Sequence, residues 1–522
     1  MSARLAIAVA VAVVTAASSG SAQAQFLRAD APDAGGHPAG PARPKGGDQW
    51  DGFVWLRGRV TLHPAWPLDR AGFADPQKAL VETRVRLGFS WGFHPTLAIA
   101  TELDGFPGVV AGDTSDLGTA EGRFEPRYRT DRTVRFADGD VRQLFLTWRL
   151  PFGELRLGRM AFSWGLGMVA NDGRGEADFG DRRHGDLMDR VVFATRPFAR
   201  SESSLRGLAV FVGADRVFRD ENADFRRGDT AYQGVFGLRY EHPADHWIVG
   251  AFGAYRRQTD RVEPGQGDRR AELNAFAVDV YAKLPLMRGP YSLVAEAELA
   301  VTRGDTTRTL FEATRTDGAD VAGHGSVLRL VFDDWSRRFR IKTEVGYASG
   351  DADPYDGVAR NFSFDPDYKV GLLLFDPLLG RLSGRGVDRA SDPSLVATPP
   401  AGVRFLGTQG AITNATYVNA VARFRPTAAL DLRLGWVVAG SAVGLSDAFE
   451  TAQRGGYLAG FDRRPASSRL LGHEVDVAVL RPRARPGRSR GRRAAAWPRV
   501  RRPLARHPVA RPGWPRRPLL RR

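Results

Sequence analysis

From about residue 52 to residue 480 the chain repeats one pattern: apolar and polar side chains alternate in runs of about ten residues, and Gly, Asp, Pro and Arg gather between the runs. In ETRVRLGFSW, Thr83, Val85, Leu87, Phe89 and Trp91 fall on one face and Glu82, Arg84, Arg86, Gly88 and Ser90 on the other. FRIKTEVGY sets Phe339, Ile341, Thr343, Val345 and Tyr347 against Arg340, Lys342, Glu344 and Gly346, and LDLRLGW sets Leu430, Leu432, Leu434 and Trp436 against Asp431, Arg433 and Gly435. A period of two puts successive side chains on opposite faces of an extended strand. Each predicted strand therefore has an oily face and a charged face.

About sixteen such runs are readable, near 52–62, 81–93, 96–104, 140–151, 153–165, 190–197, 204–218, 231–242, 246–256, 271–285, 290–303, 324–333, 338–349, 412–426, 429–440 and 470–480. Some are joined by short turns (GFHPT, LPFG, HPADH, RPTAA) and others by long polar loops. Short turns at one end and long loops at the other predict an all-β fold: a large antiparallel transmembrane β-barrel, in which a closed sheet leaves no unpaired backbone facing lipid. Trp55, Trp91, Trp148, Trp164, Trp247 and Trp436, at strand ends, are expected in the interfacial girdles. A secreted propeller or sandwich also alternates, but with strands of about five or six residues and a polar outward face.

The N-terminus fits export. MSARLAIAVAVAVVTAASSGSAQAQ carries Arg4, an apolar run from Leu5 to about Ala17 and the small-residue pattern Ala22-Gln23-Ala24, so residues 1–24 are read as a cleaved signal peptide. Residues 25–50, rich in Gly, Pro and Ala, read as a flexible lead-in, and 51–480 as the barrel. With no cysteine, disulfides and thiolate chemistry are excluded.

The formal net charge of +16 is misleading until it is divided. Residues 481–522 hold 16 Arg, no Lys and no acid, so the first 480 residues carry 75 − 16 = 59 bases against 59 acids. Arg, Pro, Ala and Gly make up 33 of those 42 positions, and all four can be encoded by G and C alone. The segment is read as a disordered, out-of-frame tail after about Leu480, since dense like charge and eight prolines cannot form a packed core. The competing reading, a basic arm that binds nucleic acid, predicts binding that vanishes when the tail is removed; the expected partner set contains no nucleic acid.

Three stretches go beyond alternation: GRMAFSWGLGMVANDGRGEADFGD with DRVVF, EVGYASGDADPYDG with NFSFDPDYKVGLLLF, and ITNATYVNAVARFRPTAALDLRLG. Together they resemble the alginate-export-like family of outer-membrane barrels and its uncharacterised delta-proteobacterial relatives. The resemblance implies about eighteen strands, location in the outer membrane, assembly by the barrel-insertion machinery and passive passage of a polymer or small solute. Family members end on an aromatic strand, whereas this chain ends at Arg522.

The lumen-lining candidates are Arg84, Arg86, Arg340, Lys342, Glu344 and Arg433. For a polyanion, guanidinium groups at a constriction would replace water around carboxylates; the simpler account of most of them is a wall charge paired with a neighbouring acid. Asp351, Asp353 and Asp356 are close enough in sequence to bind Ca²⁺, although their spacing departs from an EF-hand. No other cofactor is expected. The acids and arginines between Asp172 and Arg190 read as an ion-paired loop folding back over the pore. His324 and Ser326 in GHGS lack an assignable acid, so the chain is read as not an enzyme. The expected function is an outer-membrane channel for a polysaccharide or small polar solute, contacting outer-membrane lipid and lipopolysaccharide; the alternative is a loop-plugged barrel with a structural or surface-binding role.

Overall fold

The computed structural model describes residues 49–118, 130–174, 177–183, 185–262, 270–308, 318–399, 402–467 and 469–481. The signal peptide, nearly all of the lead-in and the tail from 482 lie outside the described residues. Within them, the alternating runs become the strands of one 18-stranded sheet. The first nine are β1 (Gln49–Leu62), β2 (Ala79–His94), β3 (Leu97–Gly112), β4 (Asp140–Leu150), β5 (Gly153–Ala161), β6 (Leu187–Thr195), β7 (Leu208–Arg219), β8 (Thr230–Glu241) and β9 (Ile248–Thr259). They are followed by β10 (Glu272–Met287), β11 (Ser292–Thr306), β12 (Ala319–Val321), β13 (His324–Asp333), β14 (Phe339–Ala348), β15 (Val358–Ala359), β16 (Ala415–Thr427), β17 (Leu430–Ser441) and β18 (Leu470–Leu480).

Setting aside β12 and β15, which are three and two residues long, each strand pairs antiparallel with the next, from β1–β2 to β17–β18. These are the sixteen predicted runs, with ends shifted by a few residues except in β3, which runs eight residues beyond the predicted end at 104. The two short strands pair with each other in parallel and extend the sheet from β11. Turns such as 95–96, 151–152 and 428–429 lie at one end; the long connections 113–139, 162–186, 349–414 and 442–469 all lie at the other.

The polar faces turn inward. Leu87, Phe89 and Trp91 of β2 are exposed on the outer face, whereas Glu82, Arg84 and Arg86 are buried. The sheet is rolled, because one short segment touches strands far apart in order: Arg57 of β1 pairs with Asp181, and Arg433 of β17 donates to the Asp178 carbonyl at 3.0 Å. Among the described residues no hydrogen-bonded register joins β18 to β1. Their outer-end loops do meet, Arg70 donating to the Asp462 carbonyl at 2.8 Å. Beside them, Arg385 of α1 (Gly380–Ala390) pairs with Asp69 at 3.0 Å. A helical turn further on in the loop before β18, α2 (Ala448–Gln453) packs on α1 through Val387, Ala390, Ala448 and Phe449.

Two of the six expected girdle tryptophans are elsewhere. Trp55 shares the inward face of β1 with Arg57 and lies under the Arg86 guanidinium, and Trp164 is buried inside the barrel. Strand-end position alone does not say which face a tryptophan takes; Trp91, Trp148 and Trp436 are exposed as expected.

Candidate functional site: two inserted segments and the lumen wall

After Ala161 the chain turns into the lumen, where Phe162 and Trp164 pack on Phe252 with ring centroids 5.2 and 5.7 Å apart. Trp164 Nε1 donates to Asp279 Oδ1 at 3.1 Å. Gly165 takes φ +55°, a left-handed turn that aims the next amides outward, and Glu298 of β11 accepts from the Leu166 N–H and from the Met168 N–H at 3.1 Å. A Cβ at Gly165 would overlap that carboxylate.

The rest of this first segment, to Asp186, is gripped mainly by cations. Arg84 donates to the Arg183 and Arg182 carbonyls at 3.0 and 3.4 Å, and Arg142 donates to the Asp172 carbonyl. Lys342 meets Asp178 at 2.5 Å. Burial pushes the Asp178 carboxyl up, but Lys342 first and then Arg433 and Arg329 bring it down to about 2. Asp181 likewise falls to about 2, burial being outweighed by Arg57, Arg183, Arg84 and Arg59.

A second segment enters from the connection between β14 and β16. Gly371 takes φ +71°, and Glu474 of β18 accepts from the N–H groups of Leu372, Leu373 and Leu374, the last two at 2.7 and 2.9 Å. Here the surroundings are apolar: Phe362, Phe364, Tyr368, Val370, Leu374 and Phe375 pack with Tyr417, Val437 and Ala439 of the wall and with Met168 of the first segment. Asp367 ties the segments together, accepting from the Arg183 and Gly185 N–H groups at 2.7 Å each.

All six lumen-lining candidates sit on inward faces, and all are engaged. Arg84 and Arg433 hold the first segment through its carbonyls, and Lys342 holds it through Asp178. Arg86 forms a two-pronged pair with Asp104 at 2.6 and 2.8 Å, and Arg340 another with Asp333 at 2.7 and 3.0 Å. Glu344, 1% exposed, accepts from Arg329 Nε at 2.6 Å and from Tyr417 Oη at 2.7 Å. The ion-paired loop expected between Asp172 and Arg190 is the first inserted segment as far as Asp186; Asp189 and Arg190 belong to β6, Arg190 pairing with Asp215 at 2.6 Å.

Asp351, Asp353 and Asp356 cap their own turns, accepting from the N–H groups of Asp353, Tyr355 and Val358 at 3.0, 3.0 and 2.9 Å, and Arg360 pairs with Asp356 at 2.5 Å. The close carboxylate group among the described residues is a different one: Asp186, Glu221 and Asp365, with oxygens within 4.8 Å of one another. Burial pushes all three carboxyls up, aided by Asp365 and Glu221 at Asp186, by Asp367 and Glu221 at Asp365, and by Asp220 at Glu221, which reaches about 7. Its members come from three separate loops, so no local spacing could have announced it. The His324 ring lies tilted against Tyr347, with ring centroids 5.4 Å apart, and its backbone N–H donates to Ser349 Oγ at 3.0 Å.

No family model and no curated protein sequence matches the chain. Solved structures similar to it include the outer membrane channel DcaP of Acinetobacter baumannii, at 11% identity and TM-score 0.38 over 85% of this chain and 99% of that one. Salmonella typhi OmpF in complex with daunomycin matches at 12% and 0.40, over 82% and 97%. Pseudomonas aeruginosa OpdK with vanillate matches at 13% and 0.40, over 75% and 82%. Likeness this low carries no functional weight, and the barrel rests on its own strand register.

Proposed function

We propose that this protein is an outer-membrane channel that admits small polar solutes through a lumen narrowed by two anchored segments. The observation that carries the reading is the combination of an apolar outer face with an inner face of paired charges into which both segments fold from the long-loop end. An apolar outward face suits lipid, and long loops at one end suit the cell exterior. The engagement of Arg84, Arg86, Arg340, Lys342 and Arg433 argues against a free polycation track, so an alginate-like polyanion is the weaker choice of solute than a small neutral or zwitterionic one. We retain the alginate-export-like family as the resemblance that best accounts for the three sequence stretches. In planar bilayers, steady open steps with weak ion selectivity are expected from folded, heat-modifiable protein.

A second reading is a closed barrel with a structural or surface-binding role. It is favoured by the number of wall cations spent on the backbone of the first segment. A folded barrel without steps, gaining them when the anchors are removed, would support it. The seam between β18 and β1 is where an out-of-frame reading of residues 481–522 would place the strand pair that the resemblance calls for. Resequencing the codons for Val475 to Arg488 and translating the other frames tests that: strand-like alternation in another frame supports it, and its absence in both sinks it.

A further inference from the structure

The outer face of the barrel is not uniform. Following the register from β5 to β9, one row of outward positions reads Arg159, Asp189, Arg216, Tyr232 and Arg257. The next row toward the short-turn end reads Leu157, Val191, Ala214, Gly234 and Tyr255, and the row after that Leu155, Phe193, Val212, Phe236 and Gly253. Apolar surface therefore gives way to arginine within one step of the register. On β1 and β2 the corresponding outward positions are Val60, Leu62, Ala79 and Val81, without a cation.

The arginines in this row are not equally committed. Arg159 and Arg216 share Asp189, at 2.7 and 2.5 Å, and Arg226 from the loop between β7 and β8 reaches Asp140 at 2.7 Å. Arg257 is exposed and has no ion-pair partner among the described residues. Among these residues four guanidiniums face two carboxylates. Phe218 and Phe225 hold two of the cations in place: the Arg159 guanidinium lies 3.2 Å from the Phe218 ring centroid and that of Arg216 4.4 Å from Phe225. Asp140 is nearly buried, whereas Arg216 and Arg226 remain 38% and 46% exposed.

We propose that this face of β5–β9 binds a phosphorylated outer-leaflet glycolipid, its acyl chains lying on the Leu157–Val191 and Phe193–Val212–Phe236 rows and its phosphate on Arg216 and Arg257. A guanidinium presents paired donors that match phosphate oxygens, and Tyr232, 58% exposed between the two arginines, supplies an amphipathic ring at the boundary. Occupancy by a lipid is chosen over a free anion or a protein because the cations are continuous, within one step of the register, with two outward apolar rows. The inference rests on the outer-membrane reading.

The test is native mass spectrometry of the folded full chain in detergent, titrated with bisphosphorylated lipid A, with phosphatase-treated lipid A and with phosphatidylethanolamine. Retention of the bisphosphorylated form is expected to exceed the other two by about tenfold. It should fall to their level in Arg216→Ala/Arg257→Ala and be partly kept in Arg216→Lys/Arg257→Lys. Equal retention of the dephosphorylated lipid, or no change in the alanine variant, would overturn the proposal. So would a stable dimer in lipid-free detergent that is abolished by the same alanine variant, since a second copy would then be the occupant. Insertion into phosphatidylcholine vesicles is measured in parallel: a barrel that inserts but shows no phosphate preference refutes the lipid site alone, whereas failure to insert refutes the membrane reading and the site with it.

Discussion

The two inserted segments are anchored by the same device and embedded by opposite means. In each, a left-handed glycine, Gly165 or Gly371, turns the amides that follow it toward a wall glutamate, Glu298 or Glu474. Beyond that anchor, the first segment is held by guanidinium and ammonium groups on its carbonyls and carboxylates, the second by a cluster of aromatic and aliphatic side chains. Ionic grip depends on pH and salt, whereas apolar packing does not. The first segment is therefore the one built to respond to conditions, and the second the one that fixes the frame.

The largest expected effect comes from removing both anchors. Glu298→Ala/Glu474→Ala leaves five N–H groups (two and three), two of them buried and three half-buried, without their acceptors. Unmade buried hydrogen bonds cost about 1–3 kcal/mol each. Single-channel conductance should rise at least about twofold as the segments leave the lumen, with faster amide exchange at Leu166–Met168 and Leu372–Leu374. Unchanged conductance would mean that neither segment narrows the path.

Next in size is the contrast between single anchors. Glu474→Ala removes three acceptor contacts and Glu298→Ala two, yet the second segment keeps its apolar cluster. Glu298→Ala should therefore mobilise its segment more, read as exchange protection, and the opposite order would break the distinction. Gly165→Ala, which places a Cβ where the Glu298 carboxylate lies at a strained φ, should cost about 1–3 kcal/mol and mimic Glu298→Ala.

A subtler effect concerns pH. Asp186, Glu221 and Asp365 lie where the two segments meet the β7–β8 loop, and their folded-state carboxyls titrate above the ordinary range, Glu221 at about 7. A raised carboxyl contributes stability that is present at low pH and lost as pH rises through the folded value. Exchange in the first segment at Gly185 and Asp186 should thus quicken between about pH 5 and pH 8, and Glu221→Gln should flatten that dependence. Smallest of all, Arg340→Ala, which breaks a part-exposed pair with Asp333, should change stability by less than about 1 kcal/mol and ion selectivity hardly at all.

The sheet was legible because its signal is local. A strand with one apolar and one polar face must alternate, so ETRVRLGFSW and LDLRLGW reveal both their conformation and their charged faces without reference to any other part of the chain. The inward orientation of Arg84, Arg86, Arg340, Lys342, Glu344 and Arg433 follows from that period alone. What these side chains do once inside is a different matter. Arg86, Arg340 and Glu344 find partners on the neighbouring strands, but the inserted segments are held by contacts across the lumen: Arg84 to Arg183 spans 99 residues, Leu166 to Glu298 spans 132 and Leu372 to Glu474 spans 102. Trp164 has the composition of a girdle residue and becomes an interior donor for the same reason.

By itself, then, the sequence determined a neutral, cysteine-free body of sixteen alternating strands with charges directed inward, because a period of two and a charge count need no knowledge of distant neighbours. Only the tertiary structure decided which loops enter the barrel, which charges are neutralised by them and which carboxylates gather from separate loops. Those outcomes depend on the rolling of the sheet, which brings residues a hundred positions apart within hydrogen-bond distance.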